Sequence, residues 1–317
     1  MASLKSFIHS VLFGNNSQII SKGIETEILR NGSIYSCIAT MPRSGTWMTK
    51  YFFHAYNSFL SENNVGDHHL PDFNHYQNIG VAGYHSHTMF PDIYSVCPEK
   101  YKHEWDQLNF YIEGYNGGYN FIDLNKDKFF ASLNPKSKYV YIYRNPLDQC
   151  VSYFEHGKNH KDENHTYIIK DGERHYFRDA NDFVINAGIS SYLKQFLSYY
   201  LVNKKYEDTL MMVTYEELVR HPEESYRKIL RFLGQDILQH NDDHLFRALN
   251  FIKAENLRAH ELKAGRSLAN DQKNHEESHM RGGKIGKWKN ILSENTLTYV
   301  ERGLGKFDLS IDFFIIE

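Results

Sequence analysis

Residues 34–48, IYSCIATMPRSGTWM, decide the fold of this chain. Their apolar run predicts a buried strand, a turn of Pro, Arg, Ser, Gly and Thr follows, and the next residues have the pattern of a helix. Unpaired backbone N–H groups and the positive end of the helix dipole meet at such a turn and attract an anion. Gly45 permits close approach of the backbone, and Arg43, Ser44 and Thr46 add donors. The stretch predicts a phosphate or sulfate site, with a plain strand-to-helix connection as the alternative.

A second informative stretch, KYVYIYRNPLDQCVS, covers residues 138–152. Alternating aromatic and β-branched residues predict a buried strand, after which Asn145 suits an N-cap and Pro146 suits the first position of a helix. Arg144 then lies at the carboxyl end of the strand. Ser152 lies about two helical turns further on, where its hydroxyl can share an anion with the guanidinium. Taken alone, the stretch favours a plainer interpretation, in which the Arg pairs with a surface carboxylate and the Ser faces solvent.

Strand and helix patterns alternate along the rest of the chain. Strands are predicted at 35–40, 81–87, 138–143 and 209–214, and helices at 47–60, 146–156, 182–203, 222–233 and 243–260. This alternation predicts an α/β fold, a single domain with a central parallel sheet flanked by helices. Ligands of such folds bind at the carboxyl ends of the strands, where Arg43, His87 and Arg144 all fall.

Together these stretches resemble the soluble, cytosolic-type sulfotransferases that use 3′-phosphoadenosine 5′-phosphosulfate (PAPS). In that family a Pro-Lys/Arg-Ser-Gly-Thr turn holds the 5′-phosphosulfate, and an Arg with a later helical Ser holds the 3′-phosphate. Further similar motifs are YHSH at 84–87, VTYEEL at 213–218, NF at 250–251 and MRGGKIGKWKN at 280–290. The resemblance extends over nearly the whole chain and implies a P-loop-kinase-like sulfotransferase fold. A finer resemblance is to cyanobacterial sulfotransferases of saxitoxin-type alkaloid biosynthesis.

The resemblance also implies which residues bind PAPS and its product, 3′-phosphoadenosine 5′-phosphate (PAP). They are Arg43, Ser44, Gly45, Thr46, Trp47, Met48, Arg144, Ser152, Tyr215, Phe251, Met280, Arg281, Gly282 and Gly283. Tyr215, Phe251 and an aromatic ring of the first helix would enclose the adenine. The family's Trp position is occupied by Met48, with Trp47 one position earlier, and Gly282 stands where the family has Lys. One cationic contact to the 3′-phosphate is therefore absent.

Three residues are the implied catalytic group. His87 is the candidate general base, because an imidazole titrates near neutral pH and can take the proton of an alcohol acceptor. Arg43, where the family usually has Lys, would stabilise charge on the leaving phosphate oxygen, but it cannot act as an acid. His85 also stands where the family has Lys and shares a strand face with His87. Its contribution to the transition state stays open. No metal ligands are predicted.

Composition limits the partners and the compartment. The 36 basic and 39 acidic side chains give a formal net charge of −3, which predicts neither a nucleic-acid nor a membrane partner. The three cysteines do not suggest a framework of disulfide bonds and are interpreted as reduced thiols. We therefore expect a cytoplasmic protein. No signal peptide or membrane-spanning run is predicted. Residues 1–30 are interpreted as an amphipathic arm packed on a domain that covers 1–317.

The acceptor is predicted only as a class. Residues 157–180 mix charges with aromatic and Ile side chains, which favours a lid over the acceptor site, with a solvated loop as the alternative. The 23 Tyr and 21 Phe imply an aromatic-rich pocket, although many of them must lie in the core, and acidic residues of the lid would suit a cationic acceptor. The acceptor is therefore expected to be cationic or aromatic. We expect transfer to a hydroxyl or nitrogen of a small molecule in secondary metabolism. The alternatives are a PAPS- or PAP-binding protein that lost catalysis, and a P-loop nucleotide kinase.

The oligomeric state is predicted from one short segment. Many cytosolic relatives dimerise through a C-terminal Lys-x-x-x-Thr-Val-x-x-x-Glu segment, and here Glu294 stands where the Val would be. A carboxylate facing its own symmetry mate disfavours a small two-fold contact. We therefore expect a monomer, or a dimer through another surface.

Overall fold

The computed structural model describes residues 36–60, 81–86, 97–108, 138–159, 167–170, 173–234, 242–264 and 284–315. Within these ranges one sheet has four parallel strands, β1 (Ser36–Thr40), β2 (Val81–Ser86), β3 (Tyr139–Tyr143) and β6 (Leu210–Thr214). They lie in the order β2-β1-β3-β6. A separate antiparallel hairpin consists of β4 (Tyr167–Lys170) and β5 (Glu173–Tyr176). The predicted parallel sheet is confirmed.

The helices of the described ranges surround this sheet. They are α1 (Thr46–Leu60), α2 (Glu99–Gln107), α3 (Pro146–Asn159), α4 (Ala180–Phe183), α5 (Ile189–Lys205), α6 (Tyr215–Arg220), α7 (Pro222–Phe232), α8 (Asp242–Phe251), α9 (Ala254–Ala264) and α10 (Glu294–Gly305). A π-helical turn, Val184–Gly188, joins α4 to α5. Short 3-10 turns, Lys287–Asn290 and Asp312–Phe314, flank α10. None of these helices is both long and apolar enough to cross a bilayer.

Alternate residues of β3 show how the sheet is covered on both faces. Val140 and Ile142 are fully buried and join a core cluster with side chains of α1, α7 and α8. Tyr141, between them, joins a second cluster with side chains of α3, α5 and α10. Its ring stacks on Tyr199 of α5 with 3.7 Å between ring centroids. Successive side chains of a strand point to opposite faces, so helices cover both sides of the sheet, as the sequence predicted.

Two predicted elements differ from the structure. The helix predicted over 243–260 is two helices, α8 and α9, because the carbonyl of Asn250 accepts from the backbone N–H of Lys253 and the side-chain amide of Asn256. The segment 157–180, predicted as a lid, contains the end of α3 and the β4–β5 hairpin, which the sequence did not predict. Residues 1–30, interpreted as an arm, lie outside the described residues.

Candidate functional site

The strand ends that were predicted to carry functional residues reach one edge of the sheet. Thr40, the last residue of β1, pairs with Ser86 of β2 and with Ile142 of β3. At the other side of β3, Tyr143 pairs with Thr214, the last residue of β6. Because the strands are parallel, the segments that follow all four begin at this edge.

The turn between β1 and α1 is held in an unusual backbone conformation. Arg43 and Gly45 both have left-handed dihedrals, with φ of 64° and 82°. The N–H of Met41 donates to the Ile142 carbonyl of β3 at 2.8 Å, which fixes the start of the turn to the sheet. A Cβ atom on Gly45 would lie 2.8 Å from Cδ2 of Tyr215. Only glycine therefore fits at position 45, both for its dihedral and for the space it leaves.

Side chains of the turn supply polar groups to the start of α1. Ser44 is fully buried, and its hydroxyl has no hydrogen-bond partner among the residues that the structure describes. The hydroxyls of Thr40 and Thr46 lie 2.8 Å apart and share a hydrogen bond. Arg43 Nε donates to the Ser152 hydroxyl of α3 at 3.4 Å. A buried serine hydroxyl beside the N-terminus of a helix fits an anion, as predicted for the 5′-phosphosulfate.

Arg144 is buried at the centre of the site, only 6% exposed. Its Nη1 donates to the carbonyl of Arg43 at 3.1 Å, and its Nη2 donates to the carbonyl of Lys284 at 3.1 Å. The guanidinium carbon lies 4.7 Å from the ring centroid of Tyr215, and Nε lies 4.0 Å from Oε1 of Glu216. The guanidinium therefore joins three segments that are distant in sequence, and its carboxylate neighbour is buried rather than on the surface.

Glu216 is a site residue that the sequence analysis did not identify. A capping box between Thr214 and Glu217 starts α6 directly after β6, which places Tyr215 and Glu216 in its first turn beside β3. Glu216 Oε1 accepts from the Asn145 N–H at 3.2 Å. Burial raises the pKa of Glu216, and hydrogen bonds from backbone N–H groups, with the charge of Arg144, oppose that rise. The sequence signal that could have identified Glu216 is an acidic residue placed just after the end of a strand.

The first turn of α3 contacts two other parts of the site. Asn145 caps the helix by accepting from the Leu147 N–H at 2.9 Å. Gln149 donates from its side-chain amide to the Pro42 carbonyl at 3.1 Å, which supports the turn after β1.

Asp148, also buried, accepts from the N–H groups of Gly286 and Trp288. The sequence analysis identified neither Gln149 nor Asp148 as part of the site.

The aromatic residues predicted to enclose the adenine lie near the turn. Tyr51 of α1 connects two of them, with ring centroids 6.2 Å from Trp47 and 6.4 Å from Phe251. The Met48 methyl group would lie 3.4 Å from a Cβ on Gly45. Tyr215 is 8% exposed, and its ring lies between Gly45 and Arg144. Adenine contacts by these residues stay a prediction.

The pKa of one lysine in this region is lower than usual. Lys50 lies one turn after Trp47 on α1, with its Nζ 4.6 Å from the centroid of the indole ring. Burial lowers the pKa of Lys50 from 10.5 to about 8. At pH 8, therefore, the Lys50 side chain is neutral in a fraction of the folded molecules.

Several predicted residues are not placed. His87 and Met280, Arg281, Gly282 and Gly283 lie outside the described residues. For His85 the structure gives the backbone position, paired with Ala39 near the end of β2. The structure thus brings Arg43, Ser44, Arg144 and Ser152 together. The catalytic roles of His85 and His87 stay predictions from the sequence.

Comparison with known families identifies the fold. The family model described as the sulfotransferase domain matches residues 35–306, most of the chain. The chain belongs to the sulfotransferase domain family. The match confirms the sulfotransferase family that the sequence motifs predicted, whereas the finer saxitoxin-type resemblance stays a prediction. The matched range includes every residue described above for the site.

Individual relatives of this sulfotransferase-family chain are distant. It is 26% identical over 168 residues to luciferin sulfotransferase of Photinus pyralis, covering 52% of this chain and 42% of the relative. It is 25% identical over 175 residues to flavonol 3-sulfotransferase of Flaveria bidentis, covering 52% and 53%. The chain spans about half the length of the curated relatives it matches. A crystal structure of mouse sulfotransferase SULT7A1 complexed with PAP aligns over 90% of each chain at 15% identity, with a TM-score of 0.49.

Proposed function

We propose that this chain transfers a sulfuryl group from PAPS to a hydroxyl or nitrogen of a small-molecule acceptor by in-line displacement. The observation that supports this most directly is the contact of Arg43 with Ser152 beside the buried Arg144. It joins the two sequence motifs that resemble the donor-binding motifs of PAPS-dependent sulfotransferases. Membership of the sulfotransferase domain family supports the same reaction class.

The residues present fit the two anionic ends of the proposed donor. Ser44 offers a buried hydroxyl without a described partner, next to the backbone N–H groups at the start of α1. These groups would hold the 5′-phosphosulfate with Arg43. Arg144 has five N–H donors, of which two are used by carbonyls, so others remain for the 3′-phosphate with Ser152. Cationic and hydroxyl groups thus lie where two phosphate groups are expected.

Catalysis in this proposal depends mainly on positioning and charge. Bound PAPS supplies the activated sulfuryl group. Arg43 stabilises negative charge at the turn, and its guanidinium cannot lose its proton at neutral pH. His87 follows the last residue of β2 directly in the sequence and takes the proton of an acceptor hydroxyl. His85, two residues earlier, adds positive charge only when it is protonated.

For the acceptor we propose a small aromatic molecule, with a cationic alkaloid such as a saxitoxin-type guanidinium compound as the competing class. Two matched relatives are named for luciferin and a flavonol, which supports an aromatic acceptor. In the segment proposed as a lid, Tyr167 and Tyr176 contact each other with 5.3 Å between ring centroids, and Tyr176 is 49% exposed. We place the reaction in natural-product tailoring in the cytoplasm.

A transfer assay tests the proposal. The protein is incubated with PAPS carrying a labelled sulfuryl group and a panel of phenols, aliphatic alcohols and guanidinium alkaloids, with and without a chelator. We expect labelled product with at least one acceptor, unaffected by the chelator. PAP binding without transfer would favour the binding protein that lost catalysis. A chelator-sensitive transfer of phosphate from ATP would contradict the proposal and favour a kinase.

A further inference from the structure

We infer that Asp148 is a positioning residue for Arg144, acting through the turn formed by residues 284–288. This inference rests on the proposed function, because it concerns recognition of the 3′-phosphate that Arg144 is proposed to bind. Asp148 is not expected to touch the nucleotide. Its effect would be to fix a backbone carbonyl that holds the Arg144 guanidinium in place.

The carboxylate of Asp148 fastens this turn to α3 with both oxygens. Its Oδ2 accepts from the Gly286 N–H at 2.6 Å, and its Oδ1 accepts from the Trp288 N–H at 3.3 Å. The residue is 2% exposed, so water competes little for these bonds. Gly286 has a φ of 79°, a conformation that glycine adopts without strain. Hydrogen bonds to an ionised acceptor are among the stronger ones in proteins.

The side chain of Asp148 is not needed to cap its own helix. Asn145 fills that role, since its Oδ1 accepts from the N–H groups of Leu147 at 2.9 Å and Asp148 at 3.4 Å. Asp148 lies in the first turn of α3, where the helix dipole favours a negative charge. The carboxylate is instead directed to another segment of the chain, the turn at Gly286 and Trp288, which points to a role beyond helix stability.

The turn that Asp148 holds contacts Arg144 through one backbone carbonyl. Lys284, two residues before Gly286, accepts from Arg144 Nη2 at 3.1 Å, while the Arg43 carbonyl accepts from Nη1 at 3.1 Å. The guanidinium is thus fixed between two carbonyls, one after β1 and one on the turn that Asp148 holds. If the turn moves, Arg144 keeps only one of these supports and its orientation toward a phosphate becomes less defined.

A second contact to the same turn provides a matched control. Lys287 forms an ion pair with Glu155, also on α3, but both side chains are partly exposed to solvent. Exposed ion pairs contribute little, because water and salt screen them and two long side chains lose freedom. Glu155→Gln therefore removes a charge from the same helix and a contact to the same turn, and it leaves the buried contacts of Asp148 in place.

The binding experiment compares Asp148→Asn, Asp148→Ala and Glu155→Gln with the wild type. Calorimetry measures affinity for PAP and for adenosine 5′-monophosphate, which lacks the 3′-phosphate. The Asn variant keeps the shape but offers one acceptor oxygen instead of two, so we expect about a tenfold loss for PAP and less than a twofold loss for the monophosphate. Glu155→Gln should change neither. Equal losses for both nucleotides, or an unchanged PAP affinity in Asp148→Asn, would overturn the inference.

A second variant and a nucleotide-free measurement separate this inference from the proposed function. Gly286→Ala strains the turn from its own side, because a side chain disfavours the positive φ, and it should show the same PAP-selective loss. Amide hydrogen exchange of Gly286 and Trp288 should be at least about tenfold faster in Asp148→Asn, and unchanged in Glu155→Gln. Unchanged exchange would overturn the anchoring role. A wild type that keeps these amides protected but does not bind PAP would instead overturn the proposed function.

Discussion

Arg43 and Ser152 are 109 residues apart in sequence, and Nε of the arginine donates to the serine hydroxyl at 3.4 Å. One residue belongs to the turn after β1 and the other to the second turn of α3. The two stretches that predict separate phosphate sites therefore meet in one place. We propose that a nucleoside with phosphate groups on both its 3′ and 5′ oxygens binds across this contact, in preference to a nucleoside with a single phosphate.

Arg144→Ala should weaken binding of PAP much more than binding of adenosine 5′-phosphosulfate, which lacks the 3′-phosphate. Charge-assisted hydrogen bonds contribute about 1.5–3 kcal/mol, so we expect a loss of roughly tenfold or more for PAP. Ser152→Ala should show the same selectivity with a smaller loss. Titration calorimetry with both nucleotides measures the ratio, and equal losses would contradict the assignment of Arg144.

His87→Ala should reduce turnover by about 10²- to 10⁴-fold on an alcohol acceptor, because the general base is removed. Binding of PAP should change little, since the imidazole is proposed to act on the acceptor. The measurement is single-turnover kinetics with labelled donor, together with PAP calorimetry. A variant that keeps more than about a third of wild-type turnover when chemistry limits the rate would show that His87 is not the base.

Gly45→Ala should lower both nucleotide affinity and stability. The new Cβ would lie 2.8 Å from the Tyr215 ring, and the φ of 82° is unfavourable for alanine. The dihedral alone costs about 1–2 kcal/mol. Urea unfolding and PAP binding measure the two effects. Gly305→Ala is the control, because a Cβ there meets nothing within 4 Å. It should leave PAP affinity near wild type and should not lower stability, since alanine suits the helical backbone at that position.

Lys50→Met should change how stability depends on pH. Burial lowers the pKa of Lys50 from 10.5 to about 8, so between these values the unfolded chain binds more protons than the folded one. In the wild type this makes the free energy of unfolding increase as pH rises through that range. The variant lacks this contribution, so its stability relative to wild type should fall from pH 7 to pH 9.5.

Chemical unfolding at the two pH values tests this, with Lys205→Met as the control at an exposed position. The control should keep the same stability difference from wild type at both pH values. If the stability of Lys50→Met relative to wild type is also the same at both pH values, the buried ammonium group does not cause the pH dependence.

The chain should be monomeric, or dimeric through a surface other than the start of α10. Glu294, the first residue of α10, is exposed and stands where dimeric relatives would have Val. Sedimentation at micromolar concentration measures the state. A wild-type dimer that Glu294→Arg dissociates and Glu294→Val strengthens would show that this segment is the interface after all.

The sequence predicted the strands and helices around the site closely, because local signals define them. Strand β3 begins and ends within one residue of its predicted bounds, and α3 begins at Pro146 as expected. The motifs at Arg43 and Arg144 were found for the same reason, since each follows a strand and precedes a helix. Convergence at one sheet edge then follows from the parallel order of the strands.

What the sequence did not predict depends on partners distant along the chain. Asp148 accepts from Gly286, 138 residues away, and Glu216 accepts from Asn145, 71 residues away. An acidic residue in the first turn of a helix is also common on the surface, so its local pattern does not reveal burial. The hairpin at β4 and β5 was missed because its charged and aromatic residues lack a clean alternation.

The main chain and the side chain of Arg43 have separate partners, and this has a use in mutational scanning. Its carbonyl accepts from Arg144, whereas its guanidinium donates to Ser152. A substitution at position 43 changes the side chain and leaves the backbone carbonyl in place. The hydrogen bond from Arg144 to that carbonyl can therefore form whichever side chain is present. The φ of 64° restricts such a library, since it tolerates Gly, Asn and Asp and disfavours β-branched residues. The activity of the tolerated residues relative to Arg43 would then report what the cation contributes at this turn.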